Sequence, residues 1–149
     1  MKAVVQRVKK ASVTVEGEIV GKIAQGIVIL LGVGHDDSPK EVDYLVNKII
    51  NLRIFPHSQS VDNPRSNVSL LECQGEALVV SQFTLYGDCR KGRRPSYTAA
   101  APPEMAEKLY QYFIEKLLQS GIKTASGVFG AMMEVQLNNF GPVTLLLES

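Results

Sequence analysis

The chain is predicted to be an α/β protein, a single domain with an antiparallel-rich sheet and two flanking helices, on three observations. Short runs rich in Val and Ile recur at both ends of the chain and in its middle. Two longer segments carry apolar residues at helical spacing, and turn residues punctuate the boundaries. A length of 149 residues matches one domain with a core large enough to fold without staples.

The elements follow in order. Residues 3–8 and 12–15 carry Val at strand spacing, and Glu16-Gly17-Glu18 ahead of Ile19-Val20 reads as a hairpin turn. GIVILLGVG, residues 26–34, is continuous and β-branched, which suits a central strand covered on both faces. Lys9 and Lys10 read as solvated strand-edge charges. Residues 38–52 form the clearest helix. Ser38 and Glu41 have capping-box spacing, Pro39 falls at the first helical position, and Val42, Leu45, Val46, Ile49 and Ile50 make one stripe. Residues 52–55 suggest a short strand, and residues 56–67 read as an exposed, mobile loop. A second helix runs over residues 103–120, with Met105, Leu109, Tyr112, Phe113 and Leu117 on one side and Gly121 ending it. Strands return at 128–137 and 143–147, separated by Asn138-Asn139-Phe140-Gly141-Pro142.

Composition narrows the function classes. Hydrophobic residues at 45%, charged residues at 21% and a net charge of +1 describe an ordinary globular chain, so any binding of nucleic acid is local. The start lacks a long apolar core and no run approaches ~18 apolar residues, so neither secretion nor membrane spanning is expected and a cytoplasmic location is. Cys73 and Cys89 lack zinc-like spacing and are expected as free thiols.

ALVVSQFTLYGD, residues 77–88, organises the functional reading. Four apolar residues run directly into Ser81, Gln82 and Thr84, so a buried strand delivers polar side chains to its own end. Strand parity, unless a bulge shifts it, puts Gln82 and Thr84 on one face and Ser81, Phe83 and Leu85 on the other. Ordinary strand-end hydrogen bonding would use the same residue types. Other constellations carry less. His35-Asp36-Asp37 before a helix cap suits a polar loop better than a metal site. Neither His35 nor His57 gives Ser81 the strained context of a nucleophile elbow. Gly32-Val33-Gly34 lacks a dinucleotide fingerprint, and no metal or cofactor is demanded. Arg90-Lys91-Gly92-Arg93-Arg94-Pro95 sets four cations within five residues, a pattern open to phosphate binding or to a solvated loop. Taken alone, Gly141-Pro142 is a turn between two strands, and Phe83 and Met133 are core residues.

In combination these motifs are specific. Ser81-Gln82-Phe83-Thr84-Leu85, the run Arg90–Pro95, Ala99-Ala100-Ala101-Pro102-Pro103-Glu104, Phe129-Gly130-Ala131-Met132-Met133 and Gly141-Pro142-Val143-Thr144 closely resemble the D-aminoacyl-tRNA deacylases. The opening MKAVVQRV and Asn51-Leu52-Arg53-Ile54-Phe55 extend the resemblance over essentially the whole chain. It implies a barrel-like closure of the sheet and a cytosolic homodimer. The implied reaction is hydrolysis of the ester between a D-amino acid, or glycine misattached to alanine tRNA, and the tRNA 3′ end.

By the same resemblance Ser81, Gln82 and Thr84 are the catalytic set, and the tRNA 2′-OH assists. Phe83 and Met133 line the pocket, while Gly141 and Pro142, joined by a cis bond, reach from one subunit into the other's site and exclude L side chains with main-chain carbonyls. Arg90, Lys91, Arg93 and Arg94 are the expected tRNA contacts. Because an aminoacyl ester is already activated, orientation, a water and oxyanion stabilisation suffice, and a strong protein base is optional. The alternatives are a covalent Thr84 nucleophile and a non-catalytic RNA-binding module. One departure is Phe140, where the family commonly has a small or polar residue before Gly-Pro. Residues 56–67 also read as a divergent insertion.

Overall fold

A computed structural model describes residues 1–57 and 67–149. The element order is β1 (Lys2–Val15), β2 (Glu18–Ile23), β3 (Gly26–Gly32), α1 (Pro39–Ile50), β4 (Glu76–Ser81), α2 (Pro103–Gln119), β5 (Thr124–Ser126) and β6 (Glu134–Glu148). Most of the loop expected over residues 56–67 lies outside the described residues.

The sheet runs β2-β1-β3-β4-β5, with β6 added along β1. β1 pairs antiparallel with β2, β3 and β6, whereas β3-β4 and β4-β5 are parallel. The sheet is therefore mixed but antiparallel-rich, and it curls into a nearly closed barrel. β2 and β5 come so close that a Cβ on Gly21 would lie 2.5 Å from the Ser126 carbonyl oxygen, so only glycine permits that approach.

Two apolar clusters explain the strand sequences. Val8, Ala11, Val13, Ile23, Val28, Leu78 and Val80 fill the barrel. Ala3, Val5, Ile27, Ile29, Leu31, Ala77 and Val79 face the layer built by α1 and α2. Alternate residues of β3 and β4 thus enter different cores, which is why both strands read as unbroken apolar runs.

α1 begins as its sequence predicts, with Ser38 as N-cap, Pro39 at its start and the reciprocal Ser38–Glu41 capping box. α2 buries Leu109, Tyr110, Phe113 and Leu117, Tyr110 being an addition to the expected stripe. The two expected N-terminal strands are one long β1, since pairing with β2, β3 and β6 supports it along its length. Phe55 forms only an isolated bridge with Val68.

The C-terminal segment differs more from the expected pair of strands. Residues 128–133 are not strand, and β6 runs continuously through the segment expected as a turn. The β1 register gives the reason. Gln6 pairs with Thr144 and Val8 with Asn139, so one β1 residue opposes four on β6. Phe140, Gly141, Pro142 and Val143 therefore stand out as a bulge opposite Arg7.

Candidate active site

β4 ends at Ser81, where it still pairs with Leu31 of β3. Gln82 N donates to Leu31 O at 2.8 Å, and the chain then enters a 3-10 turn over Phe83–Tyr86. The parity expected for residues 81–85 is thereby overturned, because pairing stops at Ser81. Gly32 makes room for the turn. A Cβ there would lie 3.0 Å from Gln82 O and 3.2 Å from Leu85 Cβ.

Within the turn Leu85 N donates to Gln82 O at 3.2 Å and Gly87 N to Thr84 O at 2.9 Å. The leading amides of such a turn, Phe83 and Thr84 here, have no carbonyl partner within it. Gln82 Nε2 donates to Thr84 Oγ1, which sets the two polar side chains against each other. Phe83 is 57% exposed and meets Tyr97 edge-on, with ring centroids 5.0 Å apart.

A cleft of about 860 Å³ opens at the carboxyl ends of parallel β3 and β4, the place where parallel α/β sheets present ligand sites. Ser81, Gln82, Phe83 and Met133 line it, as does the Ala100–Pro103 stretch leading into α2. Gly127 leaves space for Met133, whose Sδ would be 2.5 Å from a Cβ at that position.

Tyr110 and His35, which sequence reasoning did not place here, also line the cleft. Tyr110 donates its hydroxyl to Val79 O at 2.9 Å. Burial pushes its pKa up to about 12, so it is a neutral, fixed wall at neutral pH. His35 Nε2 lies 2.7 Å from Thr98 O. Asp37 is turned away to bind the Met1 ammonium and the Gly34 amide at 2.6 Å. The His35-Asp36-Asp37 run is thus a structural loop, with His35 alone at the cleft. Among the described residues, no group of three His, Cys, Asp or Glu side chains is placed to hold a metal.

The other expected site residues lie elsewhere in this chain. Arg90 forms an ion pair with Asp88 at 2.7 Å and borders a smaller cavity of about 530 Å³ with Lys2, Tyr86 and Cys89. Lys91, Arg93 and Arg94 are exposed. Gly141 and Pro142 are exposed in the β6 bulge, joined by a cis peptide bond, and neither lines this chain's own cleft.

Arg7 is the residue that sequence reasoning missed at that bulge. It is 8% exposed, donates from Nε to Phe140 O at 2.8 Å and from Nη1 to Ile54 O. Its guanidinium carbon lies 4.7 Å from the centroid of the Phe140 ring. Burial lowers its pKa from the ordinary arginine value, yet an arginine so placed keeps its charge. The available signal was a charged side chain at an inward position of an alternating strand.

Fold and cleft together describe a single α/β domain with a cleft at the carboxyl ends of two parallel strands. The family model described as D-Tyr-tRNA(Tyr) deacylase matches residues 4–148. A relative from Desulfatibacillum aliphaticivorans, named D-aminoacyl-tRNA deacylase, is 60% identical, covering 100% of this chain and 99% of its own. One of the same name from Thermosipho melanesiensis is 57% identical, covering 100% and 97%. Among solved structures, one titled c-Myc DNA Unwinding Element Binding Protein superposes with a TM-score of 0.91 at 45% identity, covering 100% of this chain and 99% of that one. A probable eukaryotic D-amino acid tRNA deacylase, at 18% identity and a TM-score of 0.85, shares the fold over 98% and 97% of the chains. The chain belongs to the D-Tyr-tRNA(Tyr) deacylase family, hydrolases that act on aminoacyl-tRNA esters.

Proposed function

We propose that this enzyme edits chirality at the 3′ end of charged tRNA, cleaving D-aminoacyl and glycyl esters, including glycine on alanine tRNA, and sparing L-aminoacyl esters. The observation that carries the reading is the turn at the end of β4. Ser81 and Gln82 border the cleft, Thr84 is tied to Gln82, and the leading amides of the 3-10 turn stay out of its own hydrogen bonds.

In this reading the terminal adenosine and its ester occupy the cleft, and amides of the turn face the carbonyl oxygen as it gains charge. A water adds to the carbonyl carbon, aided by the tRNA's own 2′-OH. The C–O bond then breaks, releasing the free amino acid and restoring the tRNA 3′-OH. Gly141 and Pro142 are exposed on β6, which suits their acting in a second copy's cleft within a homodimer. There their carbonyls meet the α-carbon substituents and exclude an L side chain, while glycine, lacking one, enters.

Thr84 as a covalent nucleophile is the competing reading; its side-chain partner is the neutral Gln82 amide, so that route needs a base from elsewhere to take the hydroxyl proton. The test is hydrolysis of D-aminoacyl-tRNA ending in a normal or a 2′-deoxy adenosine. Loss of turnover on the deoxy end is expected, with no acyl-enzyme trapped on Thr84. Full speed on the deoxy end, or a trapped acyl-Thr84, overturns the mechanism.

A further inference from the structure

We infer that Phe140 and Lys9 are positioning residues for the Gly141–Pro142 turn, the ring acting as a plate on which cations from β1 hold the bulge in place. The inference rests on the proposed role of that turn in selecting the substrate's hand. The bulge poses a mechanical problem. One residue of β1 opposes four of β6 between the pairs Gln6–Thr144 and Val8–Asn139, so residues 140–143 lack the ladder bonds that would fix their direction.

The neck of the bulge is tied by Asn139. Its Nδ2 donates to Thr144 Oγ1 at 2.9 Å and its Oδ1 accepts from Val143 N at 3.1 Å. That closes the base through Val143 and Thr144, with neither bond reaching residues 140–142. What restrains the tip is Phe140. Arg7 holds its carbonyl and approaches its ring, and Lys9 Nζ lies 4.9 Å from the ring centroid. Both cations are attracted by the ring's quadrupole, and they come from the strand that the bulge leaves.

The arrangement also gives Lys9 a role beyond that of a solvated charge. It sits where the β1 register shifts between Val8 and Ala11, and its neighbour Arg7 is already committed to two carbonyls. Lys9 is therefore the cation whose removal leaves the Arg7 hydrogen bonds standing. The size of the effect follows from a single partly exposed cation–π contact, roughly a 2- to 5-fold change in an equilibrium.

The test compares F140L, F140W, K9Q, K9R and the double variant F140L/K9Q in the full chain. Three readouts are needed: the ratio of D- to L-aminoacyl-tRNA hydrolysis, amide exchange at Val143, and the melting temperature. F140L, which keeps apolar bulk without a π face, is expected to lower the D-over-L ratio about tenfold and to speed Val143 exchange. F140W and K9R are expected to restore both. K9Q is expected to lower the ratio about 2- to 5-fold, with no further decrease on adding K9Q to F140L.

Unchanged discrimination and exchange in F140L and K9Q would overturn the inference, as would F140W failing alongside F140L. So would a K9Q effect undiminished in the F140L background. If instead the unsubstituted enzyme itself hydrolyses both hands equally, the selection reading fails. Val143 exchange in the same variants then still decides whether Phe140 and Lys9 hold the turn.

Discussion

Arg7 and Thr84 occupy contrasting settings, one buried and one exposed. Arg7 is buried without a carboxylate partner among the described residues, and it is satisfied by two carbonyls and a ring. Replacing it with Met keeps much of the volume but leaves the Ile54 and Phe140 carbonyls without their donor. A loss of about 1–3 kcal/mol in denaturant unfolding is expected. Gly141 has φ +126°, and a Cβ there would collide with the Arg7 guanidinium, so Gly141→Ala is expected to displace the turn and narrow the D-over-L ratio. Thr84→Ala separates the two mechanisms. Removing one polar group lowers turnover by roughly tenfold, whereas removing a nucleophile abolishes it. Single-turnover hydrolysis distinguishes these outcomes.

Among the elements, α1 stands on its cap and β4 on its neighbour. Ser38 N and Oγ donate to Glu41 Oε2 at 2.8 and 2.6 Å, and the hydroxyl bond is the first cause of the lowered Glu41 pKa. Ser38→Ala is expected to cost about 0.5–2 kcal/mol. Because the folded pKa is depressed, Glu41 contributes its stability above the ordinary carboxylate value of about 4.3 and loses it as pH falls through the folded value. The melting difference between the wild type and Glu41→Gln should therefore be present at pH 7 and shrink as pH falls below the ordinary carboxylate value.

The cap was readable because its chemistry lies within four residues. The end of β4 was not, since the strand stops where β3 stops offering partners, at Leu31, and the turn then folds over Gly32. β6 misled for the same reason. Asn138-Asn139-Phe140-Gly141-Pro142 has turn composition, yet β1 is long enough to pair on both sides of it. Of the residues that the family resemblance places in the site, Ser81, Gln82, Phe83 and Met133 border the cleft, whereas Thr84 does not line it and is joined to it through Gln82. Arg7 carried a signal in its inward strand position, but its partners are set by β1 facing β6, and Tyr110 reaches the cleft through its bond to Val79 of β4.

At the scale of the whole molecule, near-neutral net charge leaves RNA binding to local cations. Arg93 and Arg94 are exposed, whereas Arg90 is partly neutralised by Asp88. Removing Arg93 and Arg94 is expected to lower the salt slope of tRNA binding by about 0.7 for each single-strand phosphate they neutralise. An unaltered slope would show that they touch no phosphate. β6 pairs with β1 alone among the described strands, and its Leu146 is 64% exposed, which accords with the proposed second copy lying against this side of the barrel. The two-copy arrangement predicts that mixing a Gly141→Ala chain with a cleft-dead chain restores one selective site per mixed dimer.

The central claim is that a fixed wall of main chain sorts esters by hand. Initial rates on tRNA carrying the D and L forms of one amino acid, at equal enzyme and saturating substrate, test it most directly. The account predicts rapid release of the D-amino acid and L release no faster than spontaneous hydrolysis; equal enzymatic rates on both would contradict it.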